Sequence, residues 1–221
     1  MPIILVANQK GGTSKSTTAV NFAAYLANKS WDVLLLDADR QPSVSGWWAE
    51  RKLSHPDAPK IHSLRQYDDL YEPLLDLESR YTYVVVDCAG RDSVEMRSAM
   101  TVPGVVMLMP FKPSSVDMDT LEHMSEIIHL SRRRVNRNLI AHAFLSIAPT
   151  NSQIKETEMA REAILQYPEI SLLDTVIHDR KTYRDAFAIG LGVVELKGKS
   201  DSEVKARQEI TALVEEVLHG A

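Results

Sequence analysis

Cysteine is nearly absent from this sequence, since Cys88 is the only one among its 221 residues. A single thiol excludes an internal disulfide framework and any cysteine-rich metal site within one chain. Cys88 is best explained as a small residue that is buried in the core.

Long apolar runs and a basic leader followed by an apolar stretch are missing as well. No run approaches the roughly 20 apolar residues that a membrane-spanning helix needs. We therefore expect a cytoplasmic protein without a signal peptide or a membrane attachment. The net charge of −5 argues against wholesale coating of nucleic acid but leaves room for a local basic patch.

What is present is a regular alternation of short apolar runs with longer amphipathic stretches. The pattern predicts strands at 3–7, 33–38, 83–89, 104–110 and 139–147, and helices at 16–29, 117–130 and 202–218. Several of the runs are almost wholly apolar, which is typical of parallel strands covered on both faces. The predicted fold is α/β, with a doubly wound, mostly parallel sheet flanked by helices, in one domain over 1–221.

The segment NQKGGTSKST, residues 8–17, joins the first predicted strand to the first predicted helix. This context suits a loop whose backbone N–H groups wrap phosphates, because the helix N-terminus adds a favourable dipole. In such a loop Lys15 reaches the β- and γ-phosphates, and the hydroxyl of Ser16 holds Mg²⁺. Taken alone, the segment fits a glycine-containing turn with an incidental lysine about equally well.

Two further strand ends carry carboxylates. The run LLLDADRQ contains Asp37 and Asp39, and the run YVVVDCAG places Asp87 just before Gly90. Side chains at the carboxyl ends of such strands project into the crevice where open α/β sheets bind ligands. A single aspartate there could be a helix cap or a turn former. A lysine and two aspartates at three strand ends, in this order, favour a nucleotide site with a metal-orienting aspartate.

The set of motifs resembles the ParA/MinD family of P-loop ATPases, in the small form without an N-terminal DNA-binding domain. Its deviant phosphate loop has the form KGGxGK[ST], and here Ser14 stands where the family has glycine. DADRQ resembles the family's switch I, with Arg40 in place of proline, and VVVDCAG resembles the Walker B strand and switch II. The stretches 109–121, with an acidic residue near Asp117, and 175–195 resemble later parts of the family.

The resemblance implies a P-loop NTPase fold, ATP and Mg²⁺ as cofactors, slow ATP hydrolysis and a homodimer that forms on ATP binding. It implies that Lys10 reaches the phosphates of the opposite subunit and that Asp39 places the attacking water. The implied nucleotide-binding residues are Lys10, Gly11, Gly12, Thr13, Ser14, Lys15, Ser16, Thr17 and Asp87, and the implied metal site comprises Ser16, Asp39 and Asp87. The family's adenine-reading asparagine has no clear counterpart, because Ser146 and Ile147 stand in that region.

The implied function is segregation of a plasmid or chromosome. In such a system the ATP-bound dimer associates non-specifically with the DNA of the nucleoid, and a ParB-like centromere-binding or cargo-adaptor protein stimulates hydrolysis and release. A MinD-like or other ATPase that positions a protein cargo is one alternative, and a small-molecule P-loop kinase or ligase is another. Cys88 alone cannot supply the cysteines of a bridging iron–sulfur cluster. The glutamates of 202–218 indicate a helix that docks on its own core and does not lie on a membrane.

Two basic clusters compete as the DNA surface, at 131–138 and 178–185. The first follows the predicted helix 117–130, where cations are favourable in any case. In the second cluster Asp179 is predicted to be a helix N-cap. The cations Arg180, Lys181 and Arg184 then fall in the first turns of a helix, where the dipole disfavours them. We therefore predict these three residues as phosphate contacts, with a solvated helix face as the alternative.

Overall fold

The computed structural model describes residues 3–41, 43–115, 118–150 and 154–219. The strands are Ile3–Val6 (β1), Val33–Ala38 (β2), His62–Arg65 (β3), Tyr83–Cys88 (β4), Val105–Phe111 (β5), Ile140–Ala148 (β6) and Ser171–His178 (β7). The helices are Lys15–Asn28 (α1), Ser43–Ser54 (α2), Tyr71–Arg80 (α3), Val94–Met100 (α4), Met118–Arg134 (α5), Ile154–Leu165 (α6), Lys181–Ala188 (α7) and Asp201–His219 (α8). Short 3₁₀ turns lie at Pro113–Ser115 and Val193–Glu195.

Within the described residues the strands form one seven-stranded sheet in the order β3-β2-β4-β1-β5-β6-β7. Each pair of neighbouring strands runs parallel. The predicted doubly wound parallel sheet is therefore confirmed. Strand β1 lies between β4 and β5, so the loop that follows β1 emerges near the centre of the carboxyl edge, where such sheets bind ligands.

A layer of helices covers each face of the sheet. Helices α1, α2, α7 and α8 pack on one face through a cluster that includes Ile4 and Val6 of β1. Helices α3 to α6 pack on the other face, against Ile3 and Leu5. Both faces of β1 are thus buried, which explains why its sequence is apolar without alternation. Cys88 is buried as predicted.

The C-terminal helix α8 docks on the sheet as predicted. Its buried residues are Ala206, Ile210, Leu213, Val214 and Val217. No helix in the described ranges is long and apolar enough to cross a membrane.

Two strands escaped prediction because neither is an apolar run. β3 is an edge strand, HSLR, in which no residue is buried. β7 is the opposite edge, and its burial alternates with exposure along the strand. The basic cluster 131–138 also starts differently from the prediction, since α5 continues to Arg134 and holds the first half of that cluster.

Candidate nucleotide site

The predicted phosphate loop lies between the end of β1 and the start of α1. Strand register places Asp87 of β4 beside Val6 of β1 and beside Asp37 of β2. The three strand ends that carry the sequence motifs therefore meet at one point of the sheet edge. The structure brings together the lysine and the aspartates that the sequence singled out.

Two buried polar side chains hold the loop in place, and sequence reasoning assigned neither this role. Asn8 donates from Nδ2 to the carbonyl of Pro110 at 2.7 Å, and its Oδ1 accepts from the backbone N–H of Lys10 at 3.2 Å. Ser146 donates from Oγ to the carbonyl of Thr13 at 2.9 Å. Asn8 could have been found as the polar residue that ends the apolar β1 run. Ser146 had been considered only as a position for an adenine-reading residue.

Lys15 is buried at the first position of α1. Its Nζ donates to the carbonyl of Lys10, 2.9 Å away, across the loop. Burial lowers the pKa of the Lys15 ammonium, and the carboxylates of Asp87 and Asp39 oppose that shift. A desolvated cation inside a ring of backbone N–H groups is suited to an anionic ligand.

Gly90, on the segment after β4, touches this loop closely. A Cβ at position 90 would lie 2.9 Å from both Lys15 Nζ and the Cα of Gly11. Only glycine fits there without a shift of the loop, so the requirement for glycine comes from the close approach of two chain segments.

The hydroxyl of Ser16 donates to Oδ2 of Asp87 at 2.6 Å, while Oδ1 of Asp87 is buried and has no hydrogen-bond partner. Burial raises the pKa of Asp87 to about 7; the hydrogen bond from Ser16 opposes the shift, and the neighbouring Asp37 adds to it. A cation at this carboxylate would stabilise its charged form and occupy the orphaned oxygen.

These oxygens fit the magnesium ion that the family resemblance implies. Mg²⁺ keeps several waters and is held by one or two carboxylates together with the phosphates of its ligand. Ser16, Asp87 and Asp39 offer that type of hard oxygen donor. Among the described residues no group of three or more His, Cys, Asp or Glu side chains could hold a metal alone. The donor set therefore fits a magnesium ion that arrives with a nucleotide.

The two aspartates of switch I differ in role. Asp37 is fully buried and accepts hydrogen bonds from the backbone N–H and the hydroxyl of Ser45, so it fixes the start of α2. Asp39 is partly exposed, and its Oδ1 accepts from the backbone N–H of Gln41 at 2.9 Å. Asp39 lies close enough to influence the charge of Lys15. Its predicted part in placing water stays a prediction.

Ser14 adopts a left-handed backbone conformation, with φ 70° and ψ 22°. It stands at the N-cap of α1, yet its side chain makes no capping hydrogen bond, and its Oγ is buried without a partner. Ser14 lines a cavity of about 190 Å³ beside the loop, together with Ile147, Ile177 and Tyr183. The apolar part of this cavity suits a nucleobase that extends from phosphates on the loop.

The predicted DNA patch begins differently from the prediction. The N-cap of α7 is Arg180, so the prediction that Asp179 caps this helix is wrong. The chain is still in the β7 ladder at this point, because the backbone N–H of Asp179 donates to the carbonyl of Ala148. The carboxylate of Asp179 instead accepts from Arg184 at 2.6 Å.

Each of the three predicted phosphate contacts has an internal carboxylate partner. Arg180 is buried against Glu209, with 2.7 Å between Nη2 and Oε1 and only 12% of its side chain exposed. Lys181 pairs with Asp185 at 3.2 Å and is 81% exposed, whereas Arg184 is 67% exposed. The structure thus separates one buried arginine from two exposed cations. Asp117, the acidic residue of the 109–121 stretch, lies outside the described residues.

Comparison with protein families finds one match. The model for the CobQ/CobB/MinD/ParA nucleotide binding domain covers residues 4–193. Among curated proteins, "Maintenance of carboxysome distribution protein A" of Halothiobacillus neapolitanus is 27% identical over 97% of this chain and 95% of its own length. The protein of the same name from Gloeobacter kilaueensis is 30% identical over 92% of this chain and 89% of its own. "Protein ParA" of Rhizobium radiobacter is 25% identical over 96% and 94%.

Solved structures share the fold at lower sequence identity. The cell division ATPase MinD of Pyrococcus furiosus superposes with a TM-score of 0.73 at 18% identity, over 100% of this chain and 99% of its own. An ATP complex of McdA from Cyanothece gives a TM-score of 0.74 at 17% identity, over 99% and 96%. These similarities confirm the predicted P-loop fold of the MinD/ParA type.

Proposed function

This chain belongs to the CobQ/CobB/MinD/ParA nucleotide-binding domain family, and from that premise we propose that it is a Mg²⁺-dependent ATPase that positions a cargo on DNA. The observation that carries the proposal is the pair formed by Ser16 and Asp87 beside the buried Lys15. A hydroxyl, a carboxylate with one orphaned oxygen and a desolvated ammonium on one loop match a phosphate chain with its metal.

The roles of the residues follow from this geometry. The loop N–H groups and Lys15 bind the β- and γ-phosphates, and Ser16 and Asp87 hold the magnesium ion. The ion would neutralise charge on the phosphate oxygens as the γ-phosphate leaves. Asp39, at the next strand end, orients the water that attacks in line.

Lys10 distinguishes this proposal from a monomeric small-molecule kinase or ligase. Its backbone N–H and carbonyl are both fixed by the loop, through Asn8 and Lys15. We assign its ammonium to the phosphates of a second subunit, where it offsets the repulsion between two nucleotides in a face-to-face dimer. In a monomeric kinase the same residue would have no part in the reaction.

For the cargo we propose two candidates. One is a DNA molecule, plasmid or chromosome, that is recruited by a ParB-like centromere-binding protein, as the similarity to "Protein ParA" suggests. The other is a protein assembly with its own adaptor, favoured by the similarity to two carboxysome distribution proteins over most of their length. In both cases the ATP-bound dimer associates with the nucleoid through non-specific DNA contacts. The exposed Lys181 and Arg184 make those contacts, while Arg180 holds their helix in place.

The variants Lys10→Ala and Asp39→Ala test the ATPase cycle together. Lys10→Ala should bind ATP as a monomer and fail to dimerise, because its charge acts only across the interface. Asp39→Ala should dimerise with ATP and lose at least about 100-fold in turnover, because water is no longer oriented. Light scattering gives the mass, and phosphate release gives the rate, with ATP and Mg²⁺ present.

Lys29→Ala, which removes an exposed lysine just after α1, serves as the control for lost charge. A Lys10→Ala protein that dimerises with ATP like the wild type would overturn the role of Lys10. Unchanged hydrolysis by Asp39→Ala would remove Asp39 from the mechanism. Addition of purified candidate adaptors to the wild type would then identify the cargo by which of them accelerates hydrolysis.

A further inference from the structure

Ser14 combines two unfavourable features in one residue. Its left-handed backbone, with φ 70°, is a conformation that only glycine adopts without strain. Its hydroxyl is buried and makes no hydrogen bond among the described residues. A serine at an N-cap normally has an extended backbone and accepts a hydrogen bond from an N–H of the first helical turn. Here the left-handed backbone prevents that bond, so the hydroxyl is unsatisfied within the protein.

Strain also occurs on the opposite side of the adjoining cavity. Ile147 has φ 53°, which is rare for a β-branched residue. It lies where the pairing of β6 with β7 is irregular, between Leu145 and Ala148. Ser14 and Ile147 both line the cavity of about 190 Å³. Backbone strain that gathers around one cavity is typical of ligand sites.

The order of groups in a nucleotide places Ser14 opposite a particular atom. Lys15, the next residue, reaches the β- and γ-phosphates, whereas the cavity on the other side of Ser14 takes the base. The hydroxyl therefore lies between these two, at the level of the α-phosphate. Phosphate oxygens there are charged acceptors, and an unpartnered hydroxyl is a donor in want of one.

We propose that Ser14 Oγ donates a hydrogen bond to an α-phosphate oxygen of the bound nucleotide, a contact that rests on the ATP-binding function proposed above. A glycine at this position would relax the backbone but could offer no hydroxyl. Ser14 is thus a nucleotide-binding residue through its side chain as well as its backbone. Its strain and its unsatisfied hydroxyl in the free protein are offset when the nucleotide binds.

The test compares Ser14→Ala with Ser14→Gly. Alanine keeps the strained backbone and removes only the hydroxyl, whereas glycine removes both. Ser30 supplies a matched control, because it also has a positive φ, of 63°, but is exposed at the far end of α1. Ser30→Ala and Ser30→Gly therefore report the effect of the backbone alone. Binding of ATP and of ADP is measured by calorimetry with Mg²⁺, and the melting temperature is measured without nucleotide.

Both Ser14 variants should bind ATP and ADP about tenfold more weakly than the wild type, because a hydrogen bond to a charged acceptor is lost. The loss should be equal for the two nucleotides, since both carry the α-phosphate. Ser14→Gly should also raise the melting temperature of the nucleotide-free protein by about 2–4 °C, and Ser30→Gly should raise it similarly with no change in binding.

An affinity of Ser14→Ala for ATP within about twofold of the wild type would overturn the proposal. A loss for ATP with none for ADP would overturn it too, because the hydroxyl would then contact the terminal phosphate. If the wild type itself bound neither nucleotide, the proposed ATPase function would fail, and this outcome is distinct from the other two.

Discussion

Two buried charged clusters in this protein are built on opposite plans. Arg51 of α2 pairs with Glu195, and both side chains are almost fully buried. The guanidinium donates to both carboxylate oxygens and to the carbonyls of Gly190 and Pro59. In the second cluster Lys15 bonds only to a loop carbonyl at 2.9 Å, while one oxygen of Asp87 has no partner.

The difference separates structural from functional polar groups. A buried charge is tolerated when its donors and acceptors are all satisfied by the protein, as they nearly are around Arg51. A cluster that is left incomplete has a cost in the free protein that a ligand can remove. The unsatisfied atoms Asp87 Oδ1 and Ser14 Oγ lie together at the carboxyl edge of the sheet, and so they point to the nucleotide site.

The strongest way to break this comparison is to remove Arg51. Arg51→Ala should lower the free energy of unfolding by about 3–5 kcal/mol, because it leaves Glu195 buried and unpaired. ATP affinity of the folded protein should be unchanged. Urea unfolding measures the first effect and calorimetry the second.

Arg80→Ala provides the control for this prediction, because Arg80 forms an ion pair with Asp76 at the surface. It should cost no more than about 1 kcal/mol. The double variant Arg51→Met with Glu195→Leu should recover most of the loss. A small cost for Arg51→Ala would show that the pair is not a structural element.

Lys15→Ala tests the incomplete cluster. ATP affinity should fall by at least about 100-fold, which corresponds to about 2.7 kcal/mol, because the charge on the β- and γ-phosphates is lost. The stability of the nucleotide-free protein should barely change, since Lys15 is a desolvated cation with one neutral acceptor. Lys29→Ala should bind ATP normally. Undiminished ATP binding by Lys15→Ala would refute the assignment of the phosphate loop.

Helix α7 contains the same contrast on a smaller scale. Lys181→Ala with Arg184→Ala should change stability by no more than about 1 kcal/mol, because both ion pairs are exposed. The double variant should flatten the plot of log K for DNA against log salt by about two units, one for each phosphate contact. DNA binding by fluorescence anisotropy over a range of salt concentrations measures this slope.

The buried Arg180 is the control for the α7 variants. Arg180→Ala should lower stability by about 1–3 kcal/mol, because Glu209 loses a charged donor. It should leave the salt slope for DNA unchanged. An unaltered slope in the double variant would move the DNA surface away from α7.

Prediction from the sequence succeeded where one local signal was sufficient. The apolar runs located β1, β2, β4, β5 and β6 to within about two residues, because strands buried on both faces need continuous apolar residues. The edge strands β3 and β7 have no such run and were missed. The start of α7 was predicted one residue too early, because the pairing of Asp179 with β6 has no signature in the sequence.

In the nucleotide site, residue types and spacing were enough to select Lys15, Ser16 and Asp87. The supports of the loop were not predictable in the same way. Asn8 reaches Pro110, which is 102 positions away, and Ser146 reaches Thr13, which is 133 positions away. Such pairs depend on which strands become neighbours, and no periodicity records that.

The sequence by itself determined the parallel α/β class, the phosphate loop and the aspartates at the strand ends, because periodicity and motif spacing are local properties of the chain. The tertiary structure alone decided which polar groups are satisfied. It paired Arg51 with Glu195 and Arg180 with Glu209, and it left the hydroxyl of Ser14 and one oxygen of Asp87 without partners. Satisfaction of a buried group depends on atoms from distant segments that meet only when the sheet assembles and water is excluded.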